Sequence, residues 1–231
     1  MPYKTSFGYF WFMISRTEEN YLKVLFNLPN ESGEVNVNEV SKALDIKMPT
    51  VTSMMKKLAE KKLVHYESYK PLRLTDNGKK EAGLIIRKHR LIEMFLVEKM
   101  GFGWEEVHDI AEQVEHVQSV EFFEKMDEML GFPKIDPHGS PIPDKNGEIS
   151  WIAYYKLSEC EAGETVQLAA VIHTSSEFLK FLNSREMKLG LKLKIKSIEA
   201  FDKTMVLSYG KRPSETLSHT VCERLLVEKG K

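Results

Sequence analysis

From Lys88 to His116 the chain reads KHRLIEMFLVEKMGFGWEEVHDIAEQVEH, two amphipathic stretches separated by Gly-Phe-Gly. A short glycine break between two such stretches returns the chain beside itself, so the pattern expects an antiparallel pair of helices. Positions four apart on a helix lie nearly one above the other, which puts His89 and Glu93 on one face. The second helix is expected from Trp104 to Leu130. At about 100° per residue, its His108, Glu112, Glu115 and His116 fall within about 100° of one another. The two sets can therefore face each other. Imidazole and carboxylate donors without a thiolate suit Mn, Fe, Co, Ni or Zn better than a structural zinc site. Any one of these pairs is more often a solvated helix face than a ligand pair. Six such side chains on two adjacent helices are much harder to reach by chance.

With 231 residues, 42% of them hydrophobic, the chain can build one large domain or two to three small ones with real cores. A net charge of −1 excludes a uniformly basic nucleic-acid coat. The average hides an asymmetry. Lys47 to Lys80 holds nine basic residues against three acidic, and His89 to Leu130 holds three basic against eleven acidic. A basic module followed by an acidic one suggests DNA contact in the first and cation binding in the second. Two cysteines, Cys160 and Cys222, are too few for a disulfide framework and fit small buried or half-buried thiols in a reducing cytosol. The opening MPYKTSFGYFWFMI is far shorter than a membrane span, and no small-residue cleavage site follows it. It reads as an ordered arm, or as an upstream extension with Met13 as the true start. A cytoplasmic protein without a membrane partner is expected.

Ser15 to Leu28 reads as a capped helix with Tyr21, Leu22, Leu25 and Phe26 inward. Val37 to Leu44 is a short helix. After Asp45-Ile46-Lys47-Met48, Pro49 occupies a first-turn position and TVTSMMKKLAEKK continues as a second helix. Two short helices joined by a tight turn match a helix-turn-helix, and LVHYESYKPLRLT supplies the two short strands of a wing. Lys47, Pro49, Thr50, Thr52 and Ser53 are the candidates for groove and phosphate contacts, with Lys56 and Lys57 positioning the DNA backbone. The bland alternative for the lysines is an ordinary solvated face. A long helix from Thr75-Asp76 through Lys99 follows. VQSVEFFEKMDEML carries more apolar surface than one small domain needs, which suits burial against a twin subunit, or against the winged helix itself. Gly131 to Gly147 (GFPKIDPHGSPIPDKNG) is a linker or an ordered loop. Beyond Leu157, ETVQLAAVI, LKLKIKSIEA and KTMVLSYG alternate apolar and polar residues around a helical insert from Ser175 to Asn183, as in a small β-barrel.

The fold expected is multidomain and mainly α with a small C-terminal β-barrel. Residues 1–14 form an arm or extension, 15–75 a winged helix-turn-helix, 76–148 a helical metal-binding and dimerisation domain, and 149–231 the barrel.

The segments LDIKMPTVTSMMKKL, LTDNGKK, RKHRLIEMFL, VHDIAEQVEH and DPHGSPIP together resemble the metal-dependent transcriptional regulators typified by the diphtheria toxin repressor and the manganese transport regulator. The resemblance runs from Arg16 onward. It implies that the barrel is an SH3-like domain related to a small ferrous-iron-transport accessory protein. It also implies two metal sites per subunit. His89, Glu93 and His108 match the ancillary site; Glu112, Glu115 and His116 match the primary one, which the N-terminal helix completes at Asn20. Members of the family usually carry Met or Asp there, so Asn20 is a departure. Asp136 and His138 match ancillary ligands of some members, and Glu177 lies near where the C-terminal domain can reach the metal. Iron-responsive members tend to have Cys at position 112, whereas manganese-responsive members tend to have Glu. Glu112 is a hard donor that favours Mn²⁺, with Fe²⁺ next. Lys23 stands where one manganese-sensing subgroup has an acidic ligand.

The implied function is a regulator, by family habit a repressor, of manganese or iron homeostasis genes. It would bind a palindromic double-stranded operator as a homodimer, with no small organic substrate. The competing readings are a winged-helix regulator answering to an organic ligand, a metal-dependent hydrolase and a metal-storage module. No HExxH pairing, phosphate-binding glycine loop or nucleophile elbow supports an enzyme.

Overall fold

The computed structural model describes residues 14–28 and 32–229, so nearly all of the expected N-terminal arm lies outside the described residues. Residues up to Ile86 with Lys145–Glu148 form one compact unit; Arg87–Asp144 with the residues from Ile149 onward form the other.

The first unit is a winged helix-turn-helix. Helix α1 (Arg16–Asn27) opens on a reciprocal cap: the Ser15 hydroxyl accepts the Glu18 amide, and the Glu18 carboxylate accepts the Ser15 amide at 2.7 Å. Its Tyr21, Leu22 and Leu25 are buried against α2 (Val37–Leu44) and α3 (Met48–Glu60) in one core with Val40, Val51 and Met55. Asp45, in the left-handed region at φ 52°, ends α2 and makes the tight turn into α3. Val51, Met55 and Leu58 repeat at helical spacing and turn inward, leaving Lys47, Pro49, Thr50, Ser53, Lys56 and Lys57 exposed and Thr52 half-buried. The wing is the antiparallel pair β1 (Val64–His65) and β2 (Arg73–Leu74), with Tyr69 exposed at its tip.

Glu18 ties this unit together beyond its cap. Its buried carboxylate meets Lys61 at 2.8 Å and Lys57 at 3.3 Å, joining the first turn of α1 to the C-terminal end of α3. Burial opposes ionisation, but the Lys61 hydrogen bond and the Ser15 cap outweigh it and bring the carboxyl down to about 2. A depressed carboxyl stabilises the fold above its unfolded pKa of about 4.3, and the contribution disappears as pH falls towards 2. Glu18→Gln should therefore destabilise the chain by on the order of 3 kcal/mol near pH 7. The difference from wild type should vanish by about pH 2 in thermal unfolding followed by circular dichroism. A constant difference across that range would show that the lost charge is not the cause.

Helix α4 (Asp76–Met100) follows the wing, and the division between units falls within it. Gly78 sits where α4 passes the start of the wing; a Cβ there would lie 2.0 Å from the Leu63 carbonyl oxygen, so no side chain fits.

In the second unit Gly101, at φ 76°, turns the chain out of α4 and the Phe102 amide returns to the Leu96 carbonyl. The single helix expected from Trp104 to Leu130 is instead two. Helix α5 (His108–Val114) ends at Glu115, and α6 (Val120–Met129) starts afresh where the Ser119 hydroxyl accepts the Phe122 amide at 3.2 Å. The side chain of Ser119 competes for the backbone, and a new N-cap interrupts the helix there. Leu91, Ile92, Leu96, Val107, Ala111 and Phe123 make the core of this helical part.

The C-terminal part is a six-stranded antiparallel sheet in the order β3-β8-β4-β5-β6-β7, over Tyr155–Lys156, Leu225–Lys229, Thr165–Val171, Lys192–Ile198, Met205–Tyr209 and Arg212–Leu217. In β5, Leu193 and Ile195 point inward and Lys192, Lys194 and Lys196 outward, the period-two signature of a half-buried strand. Helix α7 (Ser176–Ser184) fills the β4–β5 connection and α8 (His219–Cys222) the β7–β8 connection. Cys160 and Cys222 are free and buried in this core, where burial pushes the Cys222 thiol up to about 12. Among the described residues no helix is long and apolar enough to cross a membrane.

Candidate metal centre

Residues four apart on α4 and on α5 project from the two helices towards each other. His89 is the hub. Its Nε2 lies 3.0 Å from Glu93 Oε1 and 3.2 Å from His108 Nδ1, while its Nδ1 lies 2.6 Å from Glu115 Oε2 and 4.0 Å from Glu112 Oε1. His108 reaches Glu93 at 3.4 Å and Glu112 at 3.8 Å, and His116 Nε2 lies 3.7 Å from Glu115 Oε1. Although His116 falls beyond the end of α5, it stays beside Glu115.

A third group comes from the loop before the sheet. Glu93 Oε2 faces His138 Nδ1 at 3.7 Å, and Asp136 joins them. The loop is ordered. The Asp136 carboxylate accepts the amides of His138 and Ser140 at 2.8 and 2.9 Å, and Arg90 of α4 lies 3.5 Å from Asp136 and donates to the Pro141 carbonyl. Arg87 donates to the Pro143 carbonyl at 2.7 Å and to Asp127. Gly139 has φ 88°, and a Cβ there would lie 2.2 Å from the Ala169 carbonyl oxygen, so the loop seats on β4 only with glycine at that position.

Three donor groups result: His89, Glu93 and His108; His89, Glu112 and Glu115; and Glu93, Asp136 and His138, each with its donor atoms within 4.8 Å of one another. Two donors at about 2.1 Å from one ion stand about 3.0 Å apart when adjacent and about 4.2 Å apart when opposite. The spacings found here, 2.6 to 4.0 Å, fall close to that window. His89 belongs to two groups, one through each ring nitrogen. A neutral imidazole has one N–H and one lone pair, so if Nδ1–H is given to Glu115, Nε2 is the nitrogen left for an ion beside Glu93 and His108.

The electrostatics agree with a site built for positive charge. Burial works against ionisation of Glu93, but hydrogen bonds with His108, His138 and His89 outweigh it and hold the carboxyl well below the usual range. Burial and the neighbouring Glu93 push Asp136 up. Burial favours neutral His138, and its contact with Glu93 overcomes this and raises it.

The remaining residues read from the sequence lie elsewhere. Asn20 is half-buried on α1, and its buried Oδ1, an acceptor, has no hydrogen-bond partner among the described residues. Glu177 is exposed in the first turn of α7 and belongs to none of the three groups. Lys57 is exposed on α3 with its ammonium against Glu18. Arg90 and Trp104 escaped the sequence reading. Arg90 carries a weak signal, a lone cation among acidic residues; the Trp104 contact described below runs through a backbone carbonyl, which no sequence pattern marks.

The fold and these donor groups define a winged-helix protein with a metal-binding helical domain. Comparison with known proteins says which. Residues 13–72 match the family model described as "Iron dependent repressor, N-terminal DNA binding domain", and residues 75–144 match "Iron dependent repressor, metal binding and dimerisation domain". The "HTH-type transcriptional regulator MntR" of Oceanobacillus iheyensis is 31% identical over 118 residues, 51% of this chain and 80% of that protein. The "Iron-dependent repressor IdeR" of Mycobacterium bovis is 34% identical over 127 residues, and the match spans 55% of each chain, so only about half of that relative's length is covered. A solved "Manganese-dependent transcriptional repressor complex with manganese" superimposes with a TM-score of 0.83 at 29% identity, covering 91% of this chain and 99% of that one. The chain belongs to the iron-dependent repressor family, the group that the segments around the donor residues resemble.

Proposed function

We propose that this chain is a metal-activated repressor of manganese or iron homeostasis genes, acting in the cytoplasm as a homodimer on a palindromic operator. The observation that carries the reading is the set of donor groups around His89 and Glu93, present in one chain with a helix-turn-helix whose second helix exposes Lys47, Thr50, Ser53 and Lys56. The similar proteins named above are an iron-dependent repressor, a transcriptional regulator and a manganese-dependent repressor.

Glu112, Glu115 and His116 form the proposed primary site. Glu93, His108 and His89 form the proposed ancillary site, to which Asp136 and His138 add ligands beside Glu93. A bound divalent ion supplies two positive charges and fixed coordination directions. The carboxylates of Glu93, Glu112 and Glu115 supply hard oxygen donors, which favour Mn²⁺ and then Fe²⁺. Glu177, exposed and outside the groups, is left out of the proposed site.

Support for a dimer comes from α6 and the residues after it. Val120, Met129 and Phe132 are 76%, 59% and 60% exposed, an apolar surface that a second copy would cover. In such a dimer, metal selects the arrangement in which two recognition helices reach major grooves about 34 Å apart, and only differential affinity for that arrangement can shift the population.

Equilibrium dialysis of the full chain against Mn²⁺ tests the metal half of the reading. Two ions should be retained per chain, with Fe²⁺ competing under anaerobic conditions. Retention of none would leave a winged-helix regulator of some other ligand.

A further inference from the structure

Trp104 stands between the third donor group and the C-terminal sheet. The His138 Nε2 lies 2.8 Å from the Trp104 carbonyl oxygen. A carbonyl only accepts, so Nε2 carries the proton, and Nδ1, which faces Glu93 at 3.7 Å, is the nitrogen available to an ion. The indole and imidazole planes stack at 5.9 Å with an angle of 17°. The indole N–H donates to Asn183 Oδ1 on α7 at 2.7 Å, and the indole packs on the hydrophobic core of the sheet. From the other side, the Val171 amide of β4 donates to the His138 carbonyl at 2.9 Å.

We propose that Trp104 is a positioning residue that presents His138 Nδ1 to a divalent cation and, through Asn183, makes that presentation depend on docking of α7. The proposal rests on the reading of Glu93, Asp136 and His138 as a donor group. Trp104 itself binds nothing. Its carbonyl selects the tautomer, its ring fixes the plane of the imidazole, and its N–H holds the ring in place. Residues behind a metal ligand that fix its tautomer and orientation are typically worth ~10–100-fold in metal affinity.

The test is calorimetric titration of the full metal-free chain with Mn²⁺, in wild type, His138→Ala, Trp104→Ala, Trp104→Phe and Asn183→Ala. His138→Ala should weaken one of two binding steps. Trp104→Ala should weaken the same step by ~10–100-fold. It should leave the other step in place, with a lower melting temperature because the indole packs on the core of the sheet. Trp104→Phe and Asn183→Ala, which keep a ring but cut the tie to α7, should shift that step in the same direction by a smaller factor. If His138→Ala weakens one step and none of the other three variants does, the proposal is overturned and the donor group stands. If all steps fall together with the melting temperature in every variant, Trp104 has only a structural role, which also overturns it. If His138→Ala changes nothing, the donor group itself fails, and the proposal with it.

Discussion

Glu112→Ala and His116→Ala should each reduce DNA binding in saturating Mn²⁺ to the level found with chelator, while the chain stays folded and dimeric. Neither side chain belongs to the buried hydrophobic core of the helical part, which Leu91, Ile92, Leu96, Val107, Ala111 and Phe123 form. Glu112 is about a third exposed, so its loss removes a donor with little packing; the His116 side chain is mostly buried, so the folded state of that variant is checked by circular dichroism beside the binding. Glu112 Oε1 stands between His89 at 4.0 Å and His108 at 3.8 Å, and His116 stands beside Glu115 at 3.7 Å. Groups that merely orient a ligand are worth ~10–100-fold in metal affinity, so deletion of a donor should exceed about 100-fold. Anisotropy measurements on an operator duplex across a Mn²⁺ titration read the effect. An unchanged metal response in both variants would remove these residues from the site.

Raising salt from 50 to 200 mM should weaken metal-activated DNA binding by about 150-fold, with a log–log slope near −3.6, if roughly four phosphates are neutralised. The figure comes from Lys47 and Lys56 of each subunit in a dimer. Both are exposed, Lys47 at the N-cap of α3 and Lys56 on the helix, whereas Lys57 lies 3.3 Å from the buried Glu18 carboxylate and is already compensated. Lys56→Ala should flatten the slope by about 2, one phosphate per subunit. A slope near zero would show that α3 does not contact the DNA backbone. A wild-type slope near −5.4 would mean that Lys57 leaves Glu18 for phosphate.

The winged helix was legible in the sequence because each boundary there carries its own local chemistry. Ser15 and Glu18 form a reciprocal cap, Pro49 sits in a first turn, and apolar residues at helical spacing pick out Val51, Met55 and Leu58. The face on which each donor of α4 and α5 lies was legible for a different reason, because residues four apart on a helix share a face. The break after Glu115 was not, because Val114, Val117 and Val120 continue an apolar pattern through it, and the Ser119 cap decides only once the backbone is committed. Strand β7, RPSETL, is an edge strand with a proline and few apolar residues, and it lacks the alternation that revealed β4, β5 and β6. At the candidate site, spacing gives the face on which a side chain lies but not which ring nitrogen meets which partner. The two-sided engagement of His89 and the carbonyl contact to His138 are tertiary facts, fixed by the packing of α5 and the Asp136–Ser140 loop.

The most direct measurement is fluorescence-anisotropy binding of the full chain to duplex DNA from upstream of its own gene, run with chelator, with Mn²⁺ and with anaerobic Fe²⁺. Tight binding with metal and weak binding with chelator is the expected result, with Mn²⁺ the better ion because position 112 carries a carboxylate. Equal affinity in all three conditions would contradict metal activation, leaving a winged helix that binds DNA and a His/Glu cluster that does not control it.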